Sequence, residues 1–296
     1  MTGVQEQTTF FKWSSHKNYI NNKQVLINHW YDKKVTRALK ICIINMWERR
    51  ILSMKENKYD DNIFFEKYSQ MGRSQKGLSG AGEWETLKKL LPNFKGKHVL
   101  DLGCGYGWHC IHAMENGASS VVGVDISHKM LKVAKEKTNF PQVEYRCCAI
   151  EDVNFPAENF DIILSSLAFH YVADYETLIK NIYRMLRPGG NLVFTVEHPV
   201  FTSYGTQDWY YNEKEEILHF PVDNYYYEGK RTAVFLGEKV IKYHRTLTTY
   251  INTLLTNGFI INQVVEPKPP ENMMDIPGMK DEMRRPMMLI VSARKG

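Results

Sequence analysis

The sequence predicts an α/β fold, an open and mostly parallel sheet covered by helices. Three observations predict it. Apolar runs of strand length alternate with helical patterns over residues 98–196. Those runs are continuously apolar, as expected for strands buried on both faces. A glycine loop, Gly103 to Gly107, follows the first of them and opens a helix, which is where open α/β sheets hold ligands.

The elements follow in order. Residues 83–91 suit a helix, with Trp84, Leu87 and Leu91 on one face and Pro92 behind it. Residues 98–102 form a short apolar strand, and residues 108–115 a helix closed by Asn116-Gly117. Residues 120–126 are a strand, and Ser127 is the N-cap of a helix over 129–137. Strands follow at 143–149 and 160–167. The helix at 175–186 is stopped by Arg187-Pro188-Gly189-Gly190, and residues 191–196 are the next strand. Residues 197–243 break the rhythm. They hold Trp209, Tyr210, Tyr211, Tyr225, Tyr226 and Tyr227 and are too long for a simple connection. Leu247, Tyr250, Ile251, Leu254 and Leu255 then recur at helical spacing, with Asn257-Gly258 as the stop. Residues 259–265 and 287–293 are two final strands, and the Pro- and Met-rich residues 266–286 read as a loop.

Composition narrows the class. The chain has 296 residues, 43% hydrophobic and 24% charged, ordinary globular values that exclude a disordered, collagen-like or disulfide-scaffold protein. No apolar run approaches the roughly 18 residues of a membrane span, and the start has no secretory pattern. The five cysteines are odd in number, two of them are adjacent, and none forms a CxxC. That pattern predicts free thiols in a reducing, cytoplasmic setting and no zinc site. Residues 1–53 carry nine Lys and Arg against three Asp and Glu, whereas the remainder is near neutral. The main body therefore lacks the charge of a nucleic-acid binder. Residues 1–53 read as a poorly ordered basic extension or a misplaced start before Met54. A nucleic-acid or membrane-surface arm, with a short amphipathic helix at 37–50, is the alternative. The expected division is then 1–53, an N-terminal helical lid region at 54–97, and a ligand-binding domain at 98–296 with an insertion at 197–243.

The glycine loop carries the functional information. Asp125 ends the next strand, 20 residues beyond Gly105, where a carboxylate can accept both hydroxyls of a ribose. A dinucleotide loop spaces its glycines G-x-G-x-x-G, but here the spacing is G-x-G-x-G and Trp108 stands at the third dinucleotide position. Asp101 beside the loop would repel a pyrophosphate and suits a cationic ligand.

With these motifs the sequence resembles the class I S-adenosylmethionine-dependent methyltransferases. The resemblance rests on Asp-x-Gly-x-Gly-x-Gly at 101–107, Gly-Val-Asp-Ile-Ser at 123–127 and Ile150-Glu151-Asp152. Phe160-Asp161 and the Leu-Arg-Pro-Gly-Gly turn at 186–190 complete it. The closest likeness is to the small-molecule and quinone-type branch and its bacterial relatives. It implies a Rossmann-like, doubly wound sheet of seven strands with the last strand antiparallel, and S-adenosylmethionine as cofactor. Carried over by position, Asp101, Gly103, Gly105 and Gly107 would contact the amino-acid part of the cofactor. Asp125 would bind the ribose, with Ile126 and Met130 near the adenine. Ile150 would offer its N–H to the adenine, with Glu151 or Asp152 at the exocyclic amine. Many relatives have an acidic residue where Ala149 stands here.

The end of the fourth strand, from Ser165 to Tyr171, would face the cofactor. It is not the Asn/Asp-Pro-Pro-Tyr/Phe of many enzymes that methylate adenine or amide nitrogen. His170 there, and Glu197 and His198 at the end of the fifth strand, are the candidate catalytic groups. Tyr68, Met71 and Arg73, with the glycines at 77–82, suggest a lid, and His244 is a candidate substrate contact. The tyrosine-rich insertion is expected to cover the acceptor. The predicted activity is methyl transfer to a small molecule by in-line displacement. The alternatives are an RNA or protein methyltransferase using the basic arm, a non-catalytic cofactor-binding protein and, more distantly, a nicotinamide oxidoreductase.

Overall fold

A computed structural model describes Lys55 and residues 57–296. The expectations for residues 1–53, including the basic helix at 37–50, lie outside the described residues. Helices are numbered from the first described. The chain opens with a 3-10 turn at Lys58–Asp60, then α1 (Asn62–Ser69), α2 (Gly72–Lys76), a 3-10 turn at Gly77–Gly80 and α3 (Trp84–Leu90). Strands β1 (His98–Leu102), β2 (Ser120–Asp125), β3 (Val143–Cys147), β4 (Phe160–Ser166) and β5 (Leu186–Glu197) alternate with α4 (Trp108–Glu115), α5 (His128–Lys137) and α6 (Tyr175–Met185). The insertion holds α7 (Pro199–Ser203) and two hairpins, β6 (Tyr210–Tyr211) with β7 (Ile217–His219) and β8 (Gly229–Phe235) with β9 (Glu238–His244). Helix α8 (Leu247–Thr256), β10 (Phe259–Val265) and β11 (Met288–Lys295) close the chain.

The main sheet has seven strands in the order β10-β11-β5-β4-β1-β2-β3. The pairs among β1 to β5 are parallel, and β11 runs antiparallel to both β5 and β10. Alternate residues of each strand feed two cores. Leu100, Leu102 and Ile163 pack with α6 and α8, whereas Val99, Ile162 and Leu164 pack with Trp84 of α3 and Cys110 of α4, as the two-residue period requires. No described helix is long and apolar enough to cross a membrane. The four described cysteines are free thiols.

Local signals set the boundaries. Ser127 caps α5, its hydroxyl accepting the Met130 N–H at 3.1 Å. Asp174 caps α6 and Thr246 caps α8. Strand β5 starts at Leu186 rather than at 191. Leu186 pairs with Phe160 and Asn191 with Ile162, so the Arg187-Pro188-Gly189-Gly190 turn bulges out of a ladder that has already begun. Residues 266–286 hold two 3-10 turns, Glu271–Met273 and Asp281–Arg284.

Candidate active site

The glycine loop sits at the carboxyl end of β1, clamped from both sides. The Gly103 and Cys104 N–H groups donate to Val124 O at 2.8 and 2.9 Å. Gly103 has φ +79°, and a Cβ there would lie 2.4 Å from the Ala168 Cβ. Only glycine fits both the conformation and the space. Gly105 donates its N–H to Asp125 Oδ2 at 2.9 Å, and Ser127 N–H meets Oδ1 at 2.9 Å. Two backbone donors thus hold the Asp125 carboxylate, with lone pairs left for hydroxyl donors. Burial raises Asp125 to about 6. Met130 is buried, and its methyl would be 3.3 Å from a Gly105 Cβ. Gly107 caps α4 with φ 76°. Ile150, Glu151 and Asp152 form a 3-10 turn just beyond β3.

The segment before α1 covers this edge. Asn57 Nδ2 donates to Ile126 O at 3.2 Å. Asp60 accepts the Ser127 hydroxyl at 2.6 Å and the Lys129 N–H at 3.1 Å. The Tyr59 and Tyr171 hydroxyls are 3.2 Å apart. Between the N-terminal helices and the loop lies a cleft lined by Tyr68, Arg73 and Glu83 on one side and by Gly103, Gly105, Trp108, His109 and Ser166 opposite. Arg73 grips the buried Glu83 with both oxygens at 2.8 Å. Trp108 Nε1 and His109 Nε2 are buried without a hydrogen-bond partner. Burial holds His109 down at about 4, so its ring is neutral at pH 7. Unpartnered ring nitrogens, a guanidinium and a hydroxyl-accepting carboxylate make a donor and acceptor set that fits an amino-acid-bearing nucleoside.

Two expected contacts are placed elsewhere. Asp101 shares the Val99 side of β1, so its side chain turns onto α4, where Cys110 Sγ donates to it at 3.4 Å. It is not among the cleft residues, and burial raises it to about 7. Ser165 donates to Leu102 O at 2.7 Å and ties β4 to β1. Its neighbour Ser166, on the opposite side of the strand, lines the cleft instead. Met71 precedes α2, and its carbonyl accepts the Ser74 N–H.

The groups expected to do chemistry separate into two kinds. Glu197 ends β5 and meets the insertion. Lys242 Nζ on β9 donates to its Oε1 at 2.5 Å, Gln207 Nε2 donates to Oε2 at 2.7 Å, and Lys242 also donates to Gln207 Oε1 at 2.8 Å. Burial alone would raise Glu197, but His170 when charged, the Lys242 ammonium and these bonds hold its carboxyl below the usual range. His170 is buried, and burial lowers it to about 4, so Lys242 is the cation that acts at neutral pH. The Glu197 N–H donates to His170 Nδ1 at 3.4 Å, which assigns the ring proton to Nε2. His170 is therefore a donor rather than a base.

The other two histidines sit in the walls of the insertion. His198 caps α7, its Nδ1 accepting the Val200 N–H at 3.1 Å, with Nε2 2.8 Å from Glu266. His244 is fully buried, with Thr202 Oγ1 2.8 Å from Nδ1 and the Tyr225 carbonyl 2.8 Å from Nε2. That pairing corrects its expected role as a substrate contact, because no ring nitrogen is left to give. Of the insertion's tyrosines, Tyr226 and Tyr227 are 87% and 75% exposed, and the Tyr225 hydroxyl accepts the Leu247 N–H at 3.1 Å. Sequence reasoning missed Lys242, Gln207, Glu83, Trp108 and His109. For Lys242 a signal existed: Val240, Lys242 and His244 occupy the inward positions of one alternating strand, and a lysine among them needs a buried partner.

Known proteins place this geometry. A family model described as a methyltransferase domain matches residues 100–194. The chain is 55% identical to a solved Listeria monocytogenes protein assigned as an S-adenosylmethionine-dependent methyltransferase, with a TM-score of 0.72, covering 74% of this chain and 99% of that one. An S-adenosylmethionine-dependent methyltransferase from Mesorhizobium loti is 39% identical with a TM-score of 0.69, covering 74% of this chain and all of its own. A Coxiella burnetii ubiquinone biosynthesis O-methyltransferase is 38% identical over 112 residues, which are 37% of this chain and 47% of that one. The chain belongs to the class I S-adenosylmethionine-dependent methyltransferase family, and its cofactor is S-adenosylmethionine.

Proposed function

We propose that the enzyme methylates a small-molecule acceptor. The observation that carries this reading is the covered approach to the glycine loop. Asn57, Tyr59 and Asp60 roof the Asp125 edge, and the Arg73–Glu83 pair closes the far side. A covered site suits a small acceptor better than a folded polymer. The match to part of a ubiquinone biosynthesis O-methyltransferase supports the same class of acceptor.

Bound S-adenosylmethionine supplies a methyl already activated by its sulfonium, so the protein's task is alignment. In this reading Gly103 and Gly105 admit the amino-acid part of the cofactor, with Arg73 and the Trp108 N–H as its donors. Asp125 accepts the ribose hydroxyls. Ile126 and Met130 pack at the adenine, and the Ile150 N–H and Glu151 or Asp152 meet its polar edge. Asp101 anchors the loop from behind through Cys110. Glu197, ion-paired with Lys242 and hydrogen-bonded to Gln207, fixes the insertion at the end of β5, and His170 Nε2–H donates beside it; a proton that the acceptor must lose leaves to solvent. Residues 54–97 act as the lid and 98–296 as the transferase domain, in a cytoplasmic enzyme whose thiols suit a reducing compartment.

The test is transfer of label from methyl-labelled S-adenosylmethionine into a fractionated bacterial extract. Label in the low-mass fraction, lost with Asp125→Ala, is the expected result. Label retained in RNA or protein, and lost on deleting residues 1–53, would overturn the reading.

A further inference from the structure

A second cavity lies beside the cofactor cleft. It has a volume of about 420 Å³, within the usual range for small-ligand sites. Residues 266–286, which the sequence marks only as a loop, form one wall and the lid forms the other. Glu83 lines both the cavity and the cleft. Met288, which lines it, pairs with Glu197 across the β11–β5 ladder. The cavity therefore lies at the same sheet edge as Glu197.

The lining has a definite chemistry. Met273, Met279, Met287, Met288 and Ile276 give it an apolar wall, and methionine is the side chain that best adapts to an irregular apolar guest. Two carboxylates line it, and each is already neutralised. Glu83 is held by Arg73, and Glu282 by Arg285 at 2.7 and 3.1 Å. Two ammonium groups, Lys76 and Lys268, also line it, and neither is in an ion pair among the described residues. The balance left for a guest is apolar surface with unspent positive charge at exposed positions.

We propose that this cavity is the acceptor site and that the acceptor is an apolar molecule bearing an anionic group such as a carboxylate. The apolar body lies against the methionines, and the anion meets Lys76 and Lys268. This rests on the small-molecule reading above and names the class of molecule.

The test uses decanoate, decan-1-ol and decyltrimethylammonium as probes, titrated by calorimetry into the full chain with and without S-adenosylmethionine. Decanoate should bind about tenfold tighter than decanol, and the cationic probe weakest of the three. Both lysines are exposed, so the Lys76→Glu/Lys268→Glu variant should fold. It should lose about tenfold in decanoate affinity while decanol and S-adenosylmethionine bind as before. Equal binding of decanoate and decanol, no binding of either, or indifference to the lysine changes would overturn the site even if label transfer to a small molecule holds. Charge-selective decanoate binding together with label found only in RNA or protein would leave an anion-selective cavity and overturn its assignment to the acceptor.

Discussion

The two ends of the sheet's carboxyl edge are built by different means. At the glycine loop the bonds come from the backbone. The N–H groups of Gly103, Cys104, Gly105 and Ser127 all end on Val124 or Asp125. At the insertion the bonds come from side chains far apart in sequence. Lys242 reaches back 45 residues to Glu197, and Arg285 lies over the rings of Phe201, Trp209 and Phe220 at 4.5 to 5.0 Å. Backbone donors persist through most substitutions, whereas a side-chain pair can be exchanged. A fold that keeps one cofactor and changes its acceptor has reason to divide its edge in this way.

The largest expected effect lies on the side-chain half. Lys242→Met leaves the Glu197 carboxylate enclosed without its cation and should cost about 3–5 kcal/mol of stability. The double variant Glu197→Gln/Lys242→Met should recover most of that loss in urea unfolding. Equal stability of the single and double variants would show that the two halves are not held differently after all. The Glu197 contribution has a definite pH direction. Its carboxyl is lowered in the fold, so this stability is present above the unfolded carboxylate range and is lost as pH falls through the folded value.

The backbone half should answer next, and in binding. Gly103→Ala forces a φ of +79° on a side chain that also meets Ala168 at 2.4 Å, and S-adenosylmethionine affinity should fall about 100-fold. Gly229 in the insertion also has positive φ, at 116°, but open space around it. Gly229→Ala should cost only about 1 kcal/mol of stability and leave cofactor affinity unchanged. Calorimetry on both variants separates the close approach at Gly103 from backbone strain alone.

The same division decides what was legible in the sequence. The strand and helix succession, the Ser127 cap, the glycine loop and Asp125 were legible because each depends on residues near it in the chain. The early start of β5 was not, because the Leu186–Phe160 pairing depends on a strand more than 20 residues away. Ser165 turns to Leu102 O while Ser166 lines the cleft, because neighbours on a strand face opposite ways. His198 and His244 lie in the expected region, but His198 Nδ1 caps α7 with Nε2 beside Glu266, and His244 is held by the Thr202 hydroxyl and the Tyr225 carbonyl. Lys242 escaped notice because its partner lies across the insertion, and no local pattern names a partner.

Asp125 gives a prediction of intermediate size. Its carboxyl is raised by burial to about 6. In the free protein its stabilising contribution is thus present below the ordinary carboxylate range and lost as pH rises through about 6. Hydroxyl donors from a ribose favour the ionised form, so cofactor binding has the opposite slope. Affinity should weaken about tenfold as pH drops from about 7 to about 5. Asp125→Asn should flatten that slope. Asp101→Asn should not, because Asp101 faces α4 rather than the cleft. A slope that followed Asp101 would move the titrating group behind the loop.

The smallest effect tests whether the lid belongs to the cofactor half. Two carboxylates cap helices from a distance. Asp60 reaches Ser127 and Lys129 at the start of α5. Glu228 reaches Thr246 and Thr249 at the start of α8, with contacts of 2.5 to 2.8 Å. Removing either acceptor charge, as Asp60→Asn or Glu228→Gln, should cost about 1 kcal/mol of stability. Their effects on binding should differ. The Asp60 cap holds the 3-10 turn at Lys58–Asp60 onto the start of α5 beside Asp125, so its loss should raise the S-adenosylmethionine dissociation constant about threefold to fivefold. The Glu228 cap joins the insertion to α8, away from the ribose edge, and its loss should leave that constant unchanged. Equal weakening by both would mean that the lid follows global stability, whereas weakening by Asp60→Asn alone would tie the lid's closure to cofactor capture.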